Sequence, residues 1–297
     1  GADYGVVISA SHNSGEYNGI KVFNSEGYKL GDKEEERIER CFIHEKTNDF
    51  PGIGIYEQNP HLIKKYREFL LNAAEHSFAG KTIVLDCAFG AAHRIAPEVF
   101  RRAGASVIAA NCVDDGLSIN KNCGAVYPQN LARKVLRYKA DMGFAFDGDA
   151  DRLIAVDEHG EVIDGDMILC ALAKYFDANG KLPCRTAVGT SHTNMAIEDD
   201  LKANGISLVR TDIGDKYVLA KLLEKGYSLG GEQSGHIILK DYATTGDGIL
   251  TAIALTNMLI SEKKTLAEGV KIRLYPQENK NVPVEDKFRV INSEELS

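Results

Sequence analysis

The sequence predicts an α/β protein built from consecutive domains, each with a mixed β-sheet covered by helices. Short β-branched runs alternate with amphipathic helical stretches along most of the chain, which is the pattern of such sheets. The chain has 297 residues, of which 44% are hydrophobic and 26% charged, and this composition is globular. Because one hydrophobic core stops growing at roughly 250–300 residues, we expect several domains. Their boundaries are predicted near Pro60, near Asp164 and at Tyr275-Pro276.

The first section of the chain is predicted to contain two strands and a charged helix. Residues 6–8 form a β-branched apolar run, and the turn signal Asn18-Gly19 precedes a second run at 20–23. Residues 32–40 are mostly charged, which is typical of a solvated helix. We therefore expect a hairpin of two strands followed by a surface helix.

Strand and helix patterns alternate through the second and third sections. The second section is predicted to consist of helix 61–78, strand 81–86, helix 95–103, strand 106–109, helix 131–138, strand 142–146 and a hairpin of strands 153–156 and 161–163. The third is predicted to consist of helix 166–176, strand 186–188, helix 194–203, strand 207–209, helix 216–225, an extended run 227–229 and helix 249–260. The last twenty residues are polar and hold one strand-like run, 281–284.

Charge, hydropathy and cysteine spacing narrow the class of protein. The net charge of −8 disfavours a nucleic-acid binder. An acidic protein can still have a locally positive pocket that binds a small anion. No apolar run reaches the ~18 residues of a membrane span, and no signal peptide is recognisable. The six cysteines are scattered without CxxC spacing, which fits a reducing compartment. We expect a cytoplasmic protein without a membrane partner.

A short acidic loop follows an apolar strand and holds Asp147, Asp149 and Asp151 at alternate positions. Small residues separate the three, so their carboxylates can converge on one point, where they would repel one another without a cation. Hard divalent cations such as Mg²⁺ prefer oxygen ligands of this kind. The loop predicts a metal site, and a solvated acidic turn is the alternative.

Two other classes of site share features with the acidic loop. An EF-hand is excluded because Arg152 stands where that loop needs glycine. A dehalogenase-type phosphatase also has an Asp-x-Asp sequence after a buried strand, with the first aspartate as nucleophile. In this chain Asp151 stands where that class usually has Thr or Val. The phosphatase remains the second hypothesis.

A loop of small polar residues follows the first strand and contains Ser9, Ser11 and His12. A serine hydroxyl can carry a covalent intermediate where a base and an electrophile are near. Lys21 follows the next turn and can return towards these hydroxyls, where its ammonium would neutralise phosphate. Serine-rich turns that cap backbone groups are also common, so the loop alone leaves both functions open.

A glycine-bracketed loop between two strand-like runs contains Glu232, Ser234 and His236. A carboxylate and a hydroxyl two residues apart can bind two neighbouring sugar hydroxyls. A plain hairpin loop is the alternative, since glycines favour it too. The polar run at 244–248 precedes a helix, and capping of that helix is its expected role.

The three loops together, in this order, resemble those of the α-D-phosphohexomutase superfamily. The sequences that carry the resemblance are Ser-Ala-Ser-His-Asn at 9–13, Asp-Gly-Asp-Ala-Asp-Arg at 147–152 and Gly-Glu-Gln-Ser-Gly-His at 231–236. Gln233 is similar to the branch that acts on glucosamine phosphates, whereas phosphomannomutases and phosphoglucomutases often have Met there. The resemblance implies consecutive α/β domains of the phosphohexomutase type, covering the end of domain 1 (1–60), domain 2 (61–163), domain 3 (164–275) and a linker with the start of a truncated domain 4 (276–297).

The resemblance also implies a reaction. Glucosamine 6-phosphate and glucosamine 1-phosphate would interconvert through a phosphoserine and a sugar 1,6-bisphosphate, for UDP-N-acetylglucosamine synthesis. The implied roles are phosphoserine for Ser11, Mg²⁺ ligands for Asp147, Asp149, Asp151 and the Ser11 phosphate, charge stabilisation for Lys21 and Arg152, a place at the site for His12, and sugar binding for Glu232, Ser234 and His236.

Departures from the family pattern affect the expected activity. Ser14-Gly15 replaces the proline that usually follows the serine loop. The phosphate-binding loop of domain 4 lies outside the sequence, so we expect little activity from these residues alone. A phosphomannomutase or phosphoglucomutase, and a non-catalytic binder that retains the metal and sugar loops, are the other functions considered. The expected partner is a small sugar phosphate, and a homodimer is compatible with the resemblance.

Overall fold

The computed structural model of the protein describes residues 2–44, 52, 54–278 and 283–284. The predicted α/β class is confirmed: within these residues three sheets of two, five and four strands are accompanied by helices. None of the described helices combines the length and the apolar composition that crossing a membrane requires. Of the strand-like run predicted at 281–284, residues 281–282 lie outside the described residues, and residues 283–284 are not in a strand.

The first sheet is a hairpin of β1 (Tyr4–Ile8) and β2 (Ile20–Asn24), as predicted. The strands pair antiparallel, with Val7 opposite Lys21. Helix α1 follows at Asp32–His44 and begins where the charge pattern predicted. This hairpin places the loop that joins its strands, with the candidate serines, at the end of β1.

Helix α2 (Pro60–Ala73) leads into the second section and is shorter than the predicted helix 61–78. The Asn59 side chain caps it by accepting a hydrogen bond from the backbone N–H of His61. The apolar spacing continues to Phe78, but the backbone N–H of Phe78 donates to the carbonyl of Ala103 at 2.7 Å. Phe78 therefore belongs to the core beneath the second sheet, and the prediction of helix 74–78 was wrong.

The second sheet has the strand order β4-β3-β5-β6-β7. Its strands are β3 (Thr82–Asp86), β4 (Ser106–Ala110), β5 (Met142–Phe146), β6 (Leu153–Asp157) and β7 (Val162–Ile163), and its helices are α3 (Ala92–Arg102) and α4 (Gln129–Tyr138). β4, β3 and β5 are parallel, while β6 and β7 are added antiparallel. The sheet is mixed, and the acidic loop joins the neighbouring ends of β5 and β6.

The third sheet has the order β11-β10-β8-β9. Its strands are β8 (Thr186–Thr190), β9 (Ser207–Thr211), β10 (Leu229–Gly231) and β11 (Ile237–Leu239), and the helices of this section are α5 (Gly165–Ala178), α6 (Met195–Ala203), α7 (Asp215–Lys225), α8 (Gly248–Glu262) and α9 (Leu266–Gly269). The extended run predicted at 227–229 is displaced by two residues, because the ladder with β11 pairs Leu229 with Leu239 and continues to Gly231.

One hydrophobic core connects the second and third sheets. Buried side chains of β5 and β6, such as Phe144 and Leu153, belong to the same cluster as Ile168 of α5 and Ile253 of α8. Helix α8 is apolar on nearly all sides, which is typical of a helix buried between layers. Asp247 caps it by accepting from the N–H of Leu250 at 2.9 Å, as the polar run predicted. The shared core fixes the acidic loop relative to the third sheet.

Candidate active site

The acidic loop turns sharply between two adjacent buried strands. Phe146 and Leu153 are paired partners in the ladder, so six residues reverse the chain between them. Ala150 adopts a positive φ of 63°, and its N–H donates to the Asp147 carbonyl at 3.1 Å. The turn gathers the three carboxylates, and one oxygen from each of Asp147, Asp149 and Asp151 lies within 4.8 Å of the others.

Protein groups compensate the carboxylate cluster only in part. Burial, followed by the charges of Asp151 and Asp149, raises the pKa of Asp147 to about 7. Oδ1 of Asp149 and Oδ1 of Asp151 are buried and accept no hydrogen bond from any described residue. Buried polar atoms without partners are costly, and a divalent cation with oxygen ligands would satisfy them. The residues therefore fit a divalent metal site.

The serine loop contacts the acidic loop directly. Oγ of Ser11 donates a hydrogen bond to Oδ2 of Asp147 at 3.0 Å, across 136 residues of sequence. The Ser11 carbonyl accepts from the N–H of Gly148 at 3.2 Å. Oγ of Ser9 accepts instead from the backbone N–H of Ser11 at 2.9 Å and stabilises the turn. Of the two hydroxyls, Ser11 is thus the one directed at the carboxylates.

Two basic side chains flank the carboxylates. Nζ of Lys21 lies 2.6 Å from Oδ2 of Asp149 and 3.1 Å from Oδ2 of Asp151. Burial lowers the pKa of Lys21, but the charges of Asp151 and Asp149 outweigh it, so the net shift is upward. Nε of Arg152 lies 3.8 Å from Oδ2 of Asp147. Two cationic side chains therefore contact the carboxylates that Ser11 joins.

His12 and His236 lie in different environments. His12 is exposed, and its pKa is lowered first by partial burial and then by the charge of Arg152. His236 is buried, with Nδ1 3.6 Å from Oδ1 of Asp151 and Nε2 accepting from the N–H of Gly246 at 3.2 Å. Burial raises the pKa of Asp151, but His236 and then Lys21 shift it downward overall. His236 thus contacts a candidate metal ligand, and its predicted sugar contact stays a prediction.

Among the described residues, neither Glu232 nor Ser234 forms a hydrogen bond or ion pair with the three aspartates. Oε1 of Glu232 accepts from the backbone N–H of Gly214, at the start of α7, at 3.0 Å. Ser234 is exposed. Neither residue lines the two cavities beside the aspartates. Ser11, Lys21, Arg152 and His236 therefore contact the three aspartates, and the sugar contacts of Glu232 and Ser234 stay predictions.

Two cavities flank the carboxylates. One, of about 470 Å³, lies between the serine loop and the loops that follow β3 and β4, and is lined by Ser11, Gly90 and Asp149 among others. The other, of about 300 Å³, lies beyond the cluster and is lined by Lys21, Lys29, Asp151 and Asp247 among others. Small molecules can approach the cluster from both sides.

An ion pair that the sequence analysis did not predict lies next to His236. Lys29 pairs with Asp215, whose Oδ2 also lies 3.7 Å from Nε2 of His236. Burial raises the pKa of Asp215, but His236 and then Lys29 shift it downward overall. Asp215 is the first residue of α7, where a negative charge interacts favourably with the helix dipole. No spacing in the sequence relates Asp215 to Lys29.

Comparisons with known proteins agree with this fold. Models of α/β/α domains I, II and III of the phosphoglucomutase/phosphomannomutase family match residues 1–49, 63–160 and 164–275. A solved phosphoglucomutase/phosphomannomutase family protein from Burkholderia thailandensis is 27% identical, with a TM-score of 0.79 over 92% of this chain and 59% of that one. The Aspergillus fumigatus N-acetylphosphoglucosamine mutase, solved with GlcNAc-6P and magnesium, shares the fold at 19% identity, with a TM-score of 0.71 over 92% of this chain and 73% of that one.

The chain belongs to the phosphoglucomutase/phosphomannomutase family. It is 42% identical to the phosphoglucosamine mutase of Carboxydothermus hydrogenoformans over 100% of its own length and 68% of that relative. It is 50% identical to the phosphoglucosamine mutase of Caldicellulosiruptor saccharolyticus over 96% of its own length, and spans 65% of that relative. The domain boundaries near Pro60, Asp164 and Tyr275 stay a prediction.

Proposed function

We propose that the protein is a phosphoglucosamine mutase, an isomerase that interconverts glucosamine 6-phosphate and glucosamine 1-phosphate for UDP-N-acetylglucosamine synthesis. The observation that carries the proposal is the 3.0 Å hydrogen bond from Ser11 Oγ to Asp147 Oδ2, which joins the candidate nucleophile to the candidate metal loop. Curated relatives that are 42% and 50% identical to the chain are phosphoglucosamine mutases.

In the proposed reaction a phosphoryl group moves from phosphorylated Ser11 to a sugar hydroxyl. The bond between phosphorus and Ser11 Oγ breaks, the sugar oxygen forms the new bond and loses its proton, and Oγ gains a proton. The bisphosphate then returns its other phosphoryl group to Ser11 by the reverse step. Such transfers depend mainly on in-line positioning and positive charge, and Lys21 and Arg152 are placed to supply that charge.

We assign the metal site to Mg²⁺, held by Asp147, Asp149, Asp151 and the phosphate on Ser11. The three aspartates offer the oxygen donors that this ion prefers, and buried oxygens without hydrogen-bond partners among the described residues support a bound cation. When bound, the ion supplies positive charge for the phosphoryl oxygens. All six cysteines are free, which supports the cytoplasm as the compartment.

The experiment that tests the proposal locates the phosphoryl group. The full gene product is incubated with glucose 1,6-bisphosphate and Mg²⁺, and the modified residue is mapped by mass spectrometry. We expect one phosphoryl group on Ser11, absent from Ser11→Ala and retained in Ser9→Ala. Phosphate on Asp147 would instead establish the dehalogenase-type hypothesis. A protein with no phosphorylated residue would exclude both the mutase and the phosphatase.

The preferred sugar is tested separately. Conversion rates of glucosamine 6-phosphate, glucose 6-phosphate and mannose 6-phosphate are compared in the full gene product. Fastest conversion of the amino sugar is expected. Faster conversion of glucose or mannose phosphate would assign the protein to the phosphoglucomutase or phosphomannomutase alternative. Replacing Glu232 by Gln is expected to raise KM for the sugar phosphate if this residue binds a sugar hydroxyl, as predicted.

A further inference from the structure

Asn120, a residue outside the predicted site, is hydrogen-bonded to the serine loop. It is 3% exposed and lies in the segment between β4 and α4. Its side-chain Nδ2 donates to the carbonyl of Ser11 at 2.7 Å and to the carbonyl of Asn13 at 2.8 Å. The orientation of the amide is unambiguous, because the reversed amide would direct its oxygen at two carbonyl oxygens.

The backbone of Asn120 is itself anchored to the second sheet. Its N–H donates to the carbonyl of Ala88 at 3.0 Å, just beyond the end of β3. Asn120 adopts a positive φ of 57°, a conformation that asparagine tolerates better than most residues. The side-chain amide is thus presented from a fixed point on the second sheet.

The serine loop, the acidic loop and Asn120 meet at one carbonyl. The Ser11 carbonyl accepts from Asn120 Nδ2 and also from the N–H of Gly148, at 3.2 Å. A Cβ at position 148 would lie 2.5 Å from that carbonyl oxygen and 2.9 Å from Asn120 Nδ2, so the packing leaves no room for a side chain. Ser11 has a positive φ of 52°, an uncommon conformation for serine, and these bonds fix it.

We propose that Asn120 is a positioning residue that holds Ser11 in the conformation required for phosphoryl transfer. The inference rests on the proposed function and adds a residue that neither touches the reacting atoms nor belongs to the three loops. The two amide hydrogens of Asn120 bind the carbonyls of Ser11 and Asn13, which lie on either side of His12. Without the amide, the loop that carries the nucleophile loses both of these hydrogen bonds. Displacement of a reacting group by about 1 Å can reduce a rate on the order of a hundredfold.

A matched pair of variants isolates the side-chain amide. Asn120→Gly removes the amide and keeps the positive φ, which glycine adopts freely. Asn122→Gly makes the same change two residues away, where φ is 53° and the side chain is exposed. Each protein, as the full gene product, is mixed with glucose 1,6-bisphosphate and Mg²⁺. Three quantities are measured: the rate of Ser11 phosphorylation at saturation, the bisphosphate concentration giving half that rate, and stability in urea.

We expect Asn120→Gly to lower the saturated phosphorylation rate by about tenfold or more, with the half-saturating concentration within about twofold of the unmodified protein. Asn122→Gly is expected to keep the original rate. Equal rates in the two variants would overturn the inference while leaving the proposed function intact. If the protein of unchanged sequence never acquires phosphate on Ser11, the proposed function is wrong, and the inference that rests on it is wrong too.

A second pair decides the matter if Asn120→Gly does not fold. Asn120→Asp keeps the size of the side chain but directs carboxylate oxygens at the carbonyls of Ser11 and Asn13. Asn122→Asp adds the same charge at the exposed position. A rate loss confined to Asn120→Asp supports the positioning role, and the same rate in both variants contradicts it.

Discussion

Nζ of Lys21 lies 2.6 Å from Oδ2 of Asp149, although 128 residues of sequence separate them. The ammonium projects from β2, and the carboxylate belongs to the turn between β5 and β6. The contact is partly shielded, with side-chain exposures of 24% and 11%. It therefore joins the first sheet to the second at the candidate active site and offsets part of the negative charge there.

Replacing Lys21 by Met should destabilise the protein. The variant removes an ammonium that donates to two carboxylates and leaves their repulsion uncompensated. Hydrogen bonds to charged groups contribute about 1.5–3 kcal/mol, and we expect a loss of that size in the free energy of unfolding, measured in urea at pH 7 without divalent ions. Lys33→Met, at an exposed position of α1, is the control. Equal effects of the two variants would show that the contact contributes nothing.

Divalent cations should stabilise the protein through the acidic loop. A ligand that binds only the folded state, at 100 times its dissociation constant, adds about 2.7 kcal/mol. We expect a rise in melting temperature with MgCl₂, and we expect Asp149→Asn to lose most of that rise. Asp212→Asn removes one exposed carboxylate elsewhere and should keep it. A Mg²⁺-dependent rise of the same size in Asp149→Asn would exclude this residue as a ligand.

Asp166 should make stability depend on pH. Burial first, and to a smaller extent the charge of Asp164, raises the pKa of Asp166 to about 6, although its Oδ2 accepts from the N–H of Asn194 at 2.8 Å. The unfolded value is near 3.9. Because the folded pKa is the higher one, the protonated form favours folding, and that contribution is lost as pH rises from about 4 through 6.

The variant Asp166→Asn tests this assignment. Asparagine keeps an oxygen for the Asn194 N–H and carries no charge. Relative to the unmodified protein, its free energy of unfolding should increase between pH 4 and pH 7 by up to about 3 kcal/mol, from a pKa difference of about two units. Asp212→Asn, again the exposed control, should show no such trend. A difference between Asp166→Asn and the unmodified protein that does not vary with pH would refute the assignment.

Tyr66 links α2 to the start of α8, and the loss of this link should destabilise the protein. Its hydroxyl donates to Oδ2 of Asp247 at 2.8 Å, and the same aspartate caps α8 through Oδ1. Tyr66→Phe leaves this buried oxygen without its donor, which should lower the free energy of unfolding by about 1–3 kcal/mol in urea. Tyr127→Phe, at a residue that is 45% exposed, should change it by less than about 0.5 kcal/mol.

Local patterns predicted most elements because strand and helix periodicity is written in neighbouring residues. The end of α2 shows where this fails. Phe78 continues the helical spacing, yet its ring packs 5.6 Å from that of Phe100, beneath the second sheet. In the sequence, an apolar residue that packs against another element cannot be distinguished from one on the apolar face of the helix. The position of β10 was missed for a related reason, since its extent depends on pairing with β11.

The candidate site was only partly accessible to sequence reasoning. The residue types of its loops identify hydroxyl, carboxylate and basic groups, but only the family resemblance assigned the phosphoserine role to Ser11, without giving the contact that directs it at the metal loop. That choice depends on the positive φ of Ser11 and on its bond to Asp147. Asn120 carries no motif, and the hydrogen bonds to Ser11 and Asn13 that mark it exist only after the loops meet.

The amino-acid sequence determined the α/β class and the chemical content of the three loops, because both depend on residues that are near one another in the chain. The tertiary structure decided which atoms meet: Ser11 and Lys21 donate directly to the aspartates, whereas Glu232 and Ser234 form no hydrogen bond with them among the described residues. These contacts span more than a hundred residues for Ser11 and Lys21. They arise from the packing of separate sheets, and no local pattern in the chain encodes such distances.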